Sequence, residues 1–439
     1  MRATGEATPG AALAAHLGPD CRVAVVHDWL VTYAGAERVL EQILLLFPRA
    51  DVFTLVDLLQ PEERGLLHGA RVRTSFLDRL PLLRQRYRLL LPLMPLAIEQ
   101  MDVSAYDLVI SSSHAIAKGI ITGPRQLHLC YCHSPIRYAW DLQHEYLREA
   151  GLEGPAGWPA RWLLHRIRMW DARTANGVDR FAANSRFVAQ RVRKVYRRRA
   201  RVIHPPVDIA AFTPGTRHEG FYLAASRFVP YKRMALIVDA FRSLPDRRLV
   251  VIGDGPEFEK VRKRAGPNVA LLGWQPADVL RDHMRRARAF VFAAEEDFGI
   301  APVEAQACGT PVIAYGRGGA LDTMIDRVTG VLFHEQSSAA IASAVERFER
   351  EEARLSRAAI RANAERFSVE RFRTRFARFV MDAWDAHTGA RRERSTAESG
   401  ARDAQRGLTV RTAGFAAPPA ARRISSSGSG LRPSSRDPA

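Results

Sequence analysis

Glu296 and Glu304 are separated by seven residues in the run Glu296-Asp297-Phe298-Gly299-Ile300-Ala301-Pro302-Val303-Glu304-Ala305. The run follows Ala289–Ala293, an apolar stretch that reads as a strand. Gly299 lets the backbone approach a ligand closely, and Pro302 suits the first turn of a helix. The N–H groups from Gly299 to Ala301 would then point out of a helix N-terminus, a seat for anionic or hydroxyl oxygens. Glu296 before that helix and Glu304 within it are expected to face one ligand. The plainer reading is an acidic loop ahead of a capped helix. Upstream, Arg227 and Lys232 leave another strand end together in Ser226-Arg227-Phe228-Val229-Pro230-Tyr231-Lys232-Arg233. A bidentate guanidinium and an ammonium point charge suit the neutralisation of a diphosphate.

Two other clusters suit their chemistry less well. His128, Cys130, Cys132 and His133 lie close together, but a closed zinc site usually has two to four residues between its cysteines and a strand would splay these. His114 follows Ser111-Ser112-Ser113 with no Gly-x-Ser-x-Gly elbow, so it reads as a polar strand-end residue and not as a member of a hydrolytic triad.

The elements that must hold these groups alternate between short β-branched runs and longer helical patterns. Strands are expected at 22–27, 51–55, 108–111 and 126–131, with a helix over 36–47. The pattern restarts at 220–225 and continues through 248–252, 269–272, 289–292 and 311–314. Such alternation predicts an α/β protein of two doubly wound parallel sheets facing a cleft, with ligands outside the carboxyl ends of the strands. The expected division is a disordered N-terminus over 1–20, a first domain over 21–205 and a Pro/Gly-rich linker over 206–217. A second domain over 218–365 follows, then a helix over 366–387 returning toward the first domain, and a disordered basic tail over 388–439. At 439 residues, two domains with appendages is the natural size.

The net charge of +18 is unevenly placed. Residues 161–201 hold 13 Lys/Arg against 2 Asp/Glu, and 388–439 hold 10 against 4, so the remainder is close to neutral. Within the internal segment, apolar positions 163, 167 and 170, and then 188, 192 and 195, recur at helical spacing. The segment reads equally as two surface helices with solvated arginines and as a basic face resting on an anionic membrane surface. Four cysteines exclude a disulfide scaffold and fit a cytoplasmic protein. The first twenty residues lack the apolar core of a secretory signal. The most membrane-like stretch, Leu89–Ile98, is broken by Pro92 and Pro95 and is about half the ~20 residues a spanning helix needs.

With these parts in place, residues 220–335 resemble the retaining glycosyltransferases of family 4, which have the GT-B fold. The matching pieces are Ala225-Ser226-Arg227, Lys232, Gly253-Asp254-Gly255-Pro256, Gly273-Trp274, the Glu-x7-Glu run, Ala307–Ala314 and Gly318-Gly319. In the first half, Gly35-Ala36-Glu37-Arg38-Val39 is similar to the family's Gly-Gly-Ala-Glu loop, with Ala34 in place of its first glycine, and Asn184-Ser185 matches its polar pair. Tyr131–Tyr138 resembles a motif of bacterial mannosyltransferase-like members active in polysaccharide and O-antigen synthesis.

The resemblance implies a metal-independent hexosyltransferase that needs no cofactor, its substrate being a nucleotide sugar, with GDP-mannose favoured. It implies a growing, lipid-linked glycan as acceptor and a peripheral place on the inner face of the plasma membrane, which the basic segment at 161–201 would serve. Glu304 would hold ribose hydroxyls, Glu296 and the Phe298–Ile300 backbone the sugar hydroxyls, and Arg227 with Lys232 the diphosphate. His133 would sit beside the sugar, Gly35 near the diphosphate, and Gly273-Trp274 beside the base. The competing enzymatic readings are a phosphorylase or a nucleotide-sugar epimerase on the same fold. From another class, a nucleic-acid-binding protein would suit the charge, but no helix-turn-helix, aromatic RNP pattern or zinc finger accompanies it, so no nucleic acid is expected as a partner.

Overall fold

The computed structural model describes residues 8–80, 86–215 and 218–412, with side chains to residue 390. The first sheet holds β1 (Val23–His27), β2 (Asp51–Thr54), β3 (Val72–Thr74), β4 (Leu108–Ser113), β5 (Leu127–Cys132), β6 (Arg180–Ala183) and β7 (Ala200–Val202). The second holds β8 (Tyr222–Ala225), β9 (Leu249–Ile252), β10 (Val269–Leu271), β11 (Ala289–Phe292), β12 (Val312–Tyr315) and β13 (Gly330–Phe333). Helices of the first domain are α1 (Pro9–Leu17), α2 (Gly35–Leu46), α3 (Met94–Glu99), α4 (Gln143–Glu149), α5 (Trp158–Thr174) and α6 (Arg186–Tyr196). The second domain adds α7 (Met234–Arg242), α8 (Phe258–Arg262), α9 (Ala277–Arg286), α10 (Ile300–Ala307), α11 (Ala320–Thr323), α12 (Ser338–Glu351) and α13 (Arg357–Ala364), and α14 spans Val369–Thr412.

The strands run in the orders β3-β2-β1-β4-β5-β6-β7 and β10-β9-β8-β11-β12-β13, with every paired register parallel. Both sheets are therefore doubly wound, and the strand order reverses between β1 and β4 in one and between β8 and β11 in the other. A crevice opens at each reversal, outside the carboxyl ends of the strands. The central strands are buried on both faces, which is why they read as unbroken apolar runs.

Four strands escaped the sequence reading. β3 is three residues long and half exposed, β6 and β7 lie inside the arginine-rich segment, and β13 opens on Gly330. The N-terminus expected to be disordered contains α1, where the Thr8 hydroxyl accepts the Ala11 N–H at 3.3 Å and Leu13 is fully buried in the first-domain core. The expected linker is a packed strap: Val207, Ile209 and Phe212 enter the second-domain core, and the Val207 N–H donates to the Phe367 carbonyl at 2.9 Å. Prolines and glycines there mark turns on a surface that is nonetheless covered.

Beyond the strap, α14 places Phe372, Phe376 and Val380 in one core with Val25, Leu40 and Leu129 of the first domain. Over 388–412, read from composition as disordered, α14 continues to Thr412, and the rest of that tail lies outside the described residues. No helix of the described residues is long and apolar enough to cross a membrane.

Candidate functional site

At the reversal point of the second sheet, β8 ends in Ser226-Arg227 and β11 in the loop carrying Glu296 and Asp297. The turn Pro230–Lys232 brings the Lys232 ammonium into contact with the Glu296 carboxylate. Burial, and then the Arg137 charge, push the Lys232 ammonium down to about 7, while Asp297 pulls it up. The touching Glu296 carboxylate also favours the charged form. Arg227 is exposed on the same loop and lies near enough to Tyr231 for its charge to act on that phenol.

The Glu296 loop is held from below by a glycine pair. The Gly319 N–H donates to the Glu296 carbonyl at 2.7 Å, and a Cβ on Gly319 would sit 2.3 Å from the Phe298 Cα. Phe298 itself is buried against His204 and Phe367, so only its backbone is left for a ligand. α10 starts after Gly299, at φ 84°, without a side-chain cap. Its first N–H groups are therefore available to an oxygen ligand.

The facing half is built at the reversal point of the first sheet. Gly35 opens α2 directly after Ala34, whose φ of −130° is ordinary extended backbone. An alanine where relatives of the loop carry glycine is thus accommodated without strain. A hydrogen-bonded chain runs inward from this loop. The Glu37 carboxylate accepts the Ala34 N–H at 3.1 Å and lies 3.4 Å from His27 Nε2. His27 Nδ1 is 3.2 Å from the Ser112 hydroxyl, which is 2.8 Å from His133 Nε2. Burial pushes the His133 imidazole well below its usual range, and the nearby His114 and His27 add to that, so it is neutral near pH 7. Burial would raise Glu37, but its hydrogen bond and charge pairing with His27 outweigh this and hold it ionised.

Asp28, fully buried at the end of β1, accepts the backbone N–H groups of His114, Ala115, Ile116 and Ala117 at 2.6–3.1 Å. It also pairs with His114 Nδ1 at 2.9 Å. Burial opposes the charge, and these contacts more than offset it, holding Asp28 well below the usual carboxylate range.

The two halves meet through charges. Arg38 Nη1 lies 2.6 Å from Glu304 Oε1, and a Cβ on Gly35 would come within 3.1 Å of the Ile300 side chain. Asp297 is buried between Arg137 and Arg191, the latter at 3.1 Å, and Arg191 also reaches Ser134 and Asp141. Arg186 pairs with Asp322, and Arg233 with Glu145 at 2.9 Å.

Of the residues expected at the site, Lys232 and Glu296 are together with Arg227 beside them, and Gly35, Ile300 and Glu304 are joined through α2. Glu296 and Glu304, expected to face one ligand, touch Lys232 and Arg38 respectively. Gly273-Trp274 stands at the end of edge strand β10, two strands from β8, with Trp274 72% exposed. His133 is tied to Ser112 on the first-domain side. The basic segment is partly spent internally. Arg191, read as a solvated arginine, is 8% exposed, and Arg198 donates to the carbonyls of Ala175, Val178 and Asp179.

Arg38, Arg137, Asp297 and the His27–Ser112 chain were not singled out from sequence. Each is a charge or polar group whose partner is distant along the chain, although Glu37 and Arg38 lay inside the quoted loop. Among the described residues no group of three or more His, Cys, Asp or Glu is placed to hold a metal. His128 instead hydrogen-bonds the Ser111 hydroxyl at 2.9 Å and lies 3.2 Å from the Gly177 carbonyl. A cavity of about 970 Å³ lined by His218, Asp282 and Arg286 opens at the amino end of β8, away from all of these groups.

Comparison with known proteins finds one family model in each half of the chain. Residues 33–211 match the family model described as Glycosyltransferase Family 4, and residues 214–367 match Glycosyl transferases group 1. A D-inositol 3-phosphate glycosyltransferase of Mycobacterium sp. (strain KMS) is 34% identical over 183 residues, covering 35% of this chain and 41% of that one. A GDP-mannose-dependent alpha-(1-6)-phosphatidylinositol monomannoside mannosyltransferase of Mycolicibacterium smegmatis is 29% identical over 217 residues, 42% of this chain and 55% of that one. The chain thus spans about half or less of these relatives. Among solved structures, sucrose-phosphate synthase from Thermosynechococcus elongatus superposes with a TM-score of 0.64 at 20% identity, covering 83% of this chain and 100% of that one. Anabaena HepE in complex with UDP gives 0.59 at 19% identity, with 82% and 100% covered. The fold is GT-B.

Proposed function

We propose, from a chain whose two halves match glycosyltransferase domains, that it moves a hexose from a nucleoside diphosphate sugar to a glycan acceptor with retention of configuration. GDP-mannose is the donor we favour, on the Tyr131–Tyr138 likeness and the GDP-mannose-dependent relative, and a lipid-linked glycan is the acceptor. The observation that carries the reading is the meeting of Lys232 and Glu296, with Arg227 beside them and the uncapped α10 on the same loop, at the β8–β11 reversal point.

In this reading Arg227 and Lys232 take the diphosphate and Glu304 the ribose hydroxyls. Glu296 and the Phe298–Ile300 backbone take the sugar hydroxyls, His133 lies beside the sugar, Gly35 near the diphosphate, and Gly273-Trp274 beside the base. The bond from the anomeric carbon to the diphosphate oxygen breaks, and a bond to the acceptor oxygen forms on the same face. The acceptor's proton leaves toward the departing phosphate. Charge develops on the leaving group as its bond lengthens, so fixed cations there favour the transition state. We assign the reaction no metal or cofactor, since the arginine, the lysine and the helix terminus carry the charge a metal would.

The test is the thermal stability of the protein with GDP, UDP or ADP, beside Glu304→Ala. Ligand at a hundredfold excess over Kd stabilises the native state by about 2.7 kcal/mol. Stabilisation by GDP above the others, absent in Glu304→Ala, is expected. Preference for UDP would keep the reaction class and replace the mannose. Indifference to all three would overturn the donor site.

A further inference from the structure

The first domain carries an apolar surface that the donor site does not use. Solvent-facing positions on α5 recur at 158, 162, 166, 169 and 173. A stripe on that side of a surface helix is ordinarily polar. Here Trp158 is 70% exposed, Trp162 65% and Met169 47%, while Leu164 and Ile167 on the other side enter the core. From the turn Tyr87–Leu90 into α3, Leu89, Leu93 and Leu96 repeat with the same spacing and are 42–66% exposed. Both elements pack on the same side of the first sheet. They join at Glu99, which accepts Trp170 Nε1–H at 2.8 Å and the Arg173 guanidinium at 3.0 Å.

We propose that these two stripes form a seat for an anionic phospholipid bilayer, with the leucine and tryptophan side chains entering its interfacial layer. Charge complementarity selects that occupant. Arg86, Arg88 and Arg166, all exposed, are interleaved with the apolar positions, and Arg166 lies over the Trp162 ring. The acids of these segments are already engaged: Glu99 with Arg173, and Asp171, fully buried, with Lys118 at 2.6 Å. Tryptophan favours the membrane interface, and cations near an anionic leaflet are attracted to it.

The surface also lies elsewhere than the basic segment as a whole suggests. Arg186 and Arg191 of α6 are committed to Asp322 and Asp297, so the seat is α5 with α3, and its grip is apolar as much as electrostatic. It rests on the transferase reading only for its purpose, that of bringing a lipid-linked acceptor to the cleft.

The experiment is co-sedimentation of the full chain with vesicles of phosphatidylcholine alone or mixed with phosphatidylglycerol. Binding to the mixed vesicles is expected, with Trp158→Ser/Trp162→Ser lowering the partition coefficient about tenfold or more. Arg193→Ala on α6 should bind as the wild type does. Wild-type protein left in the supernatant, or a double variant bound like wild type, overturns the proposal. So does a wild-type dimer dissolved by the same substitutions, which would give the surface to a second copy. Should the double variant misfold, quenching of wild-type tryptophan fluorescence by brominated lipid decides: quenching supports the seat and its absence overturns it. The nucleotide response is read on the same samples. Vesicle binding without any nucleotide stabilisation would sink the donor site alone, and the reverse would sink the membrane seat alone.

Discussion

Arg38 of the first domain and Glu304 of the second meet at 2.6 Å, so the carboxylate that we propose takes the ribose hydroxyls is held by the facing domain. Glu304 is nearly buried, whereas about a third of the Arg38 side chain is exposed. Arg38→Ala should therefore lower stability by only about 1–2 kcal/mol, the partly screened loss of one charged hydrogen bond. It should keep the stabilisation by nucleotide that Glu304→Ala loses. Denaturant titrations with and without GDP check both halves, and loss of the nucleotide response in Arg38→Ala would assign Arg38 to the ligand.

Lys232→Ala and Glu296→Gln should each reduce turnover about 10²–10³-fold, the magnitude for removing a group that stabilises developing charge. Circular dichroism should remain native, because both side chains sit at the ends of already complete strands. Sugar transfer rates within about threefold of wild type would show the assignment of the β8–β11 loops to be mistaken.

Gly319→Ala should impair the same step without touching a ligand. Its Cβ would lie 2.3 Å from the Phe298 Cα and 2.5 Å from the Phe298 carbonyl oxygen, so the Glu296 loop must move. A misplaced loop of this kind can lower the rate about 10²-fold. Turnover measured beside nucleotide affinity separates the displaced loop from a lost contact.

Arg191→Met should be destabilising and Arg193→Ala nearly neutral, although the two arginines are neighbours on α6. Arg191 is buried on Asp297, Asp141 and Ser134; Asp297 keeps Arg137 and Asp141 is half exposed, so losing these charged hydrogen bonds should cost about 1.5–3 kcal/mol. Urea midpoints of the two variants test the contrast.

Acid should weaken the fold through His128. Burial pushes its imidazole down to about 4 from 6.5, so the unfolded chain binds the proton more readily. Its contribution is complete above about pH 6.5 and is lost as pH falls toward 4, worth about 3 kcal/mol at 1.36 kcal/mol per unit. His133 has the same sign. His114 has the opposite one: Asp28 raises it against the effect of burial, and its contribution fades as pH rises through that raised value. Unfolding free energies from pH 4 to 8 should rise with pH, and the slope should diminish in His128→Gln.

The sheets were legible because strands buried on both faces have no alternative to long β-branched apolar runs, as at Val23–Val26 and Ala289–Phe292. The Glu296 loop was legible because a strand end, a glycine and a helix start are adjacent in sequence. β3 and β6 were not, being short and carrying arginines that suggest surface. Nor was the Asp297 clamp, because Arg137 and Arg191 are 160 and 106 residues from it, and composition cannot distinguish a buried arginine from a solvated one.

α14 lends Phe372, Phe376 and Val380 to the first domain after the chain has completed the second. On a ribosome the first domain would thus emerge with part of its interior missing, and would keep an oily slot open until residues beyond 380 had been made. The domain translated first would be the one finished last.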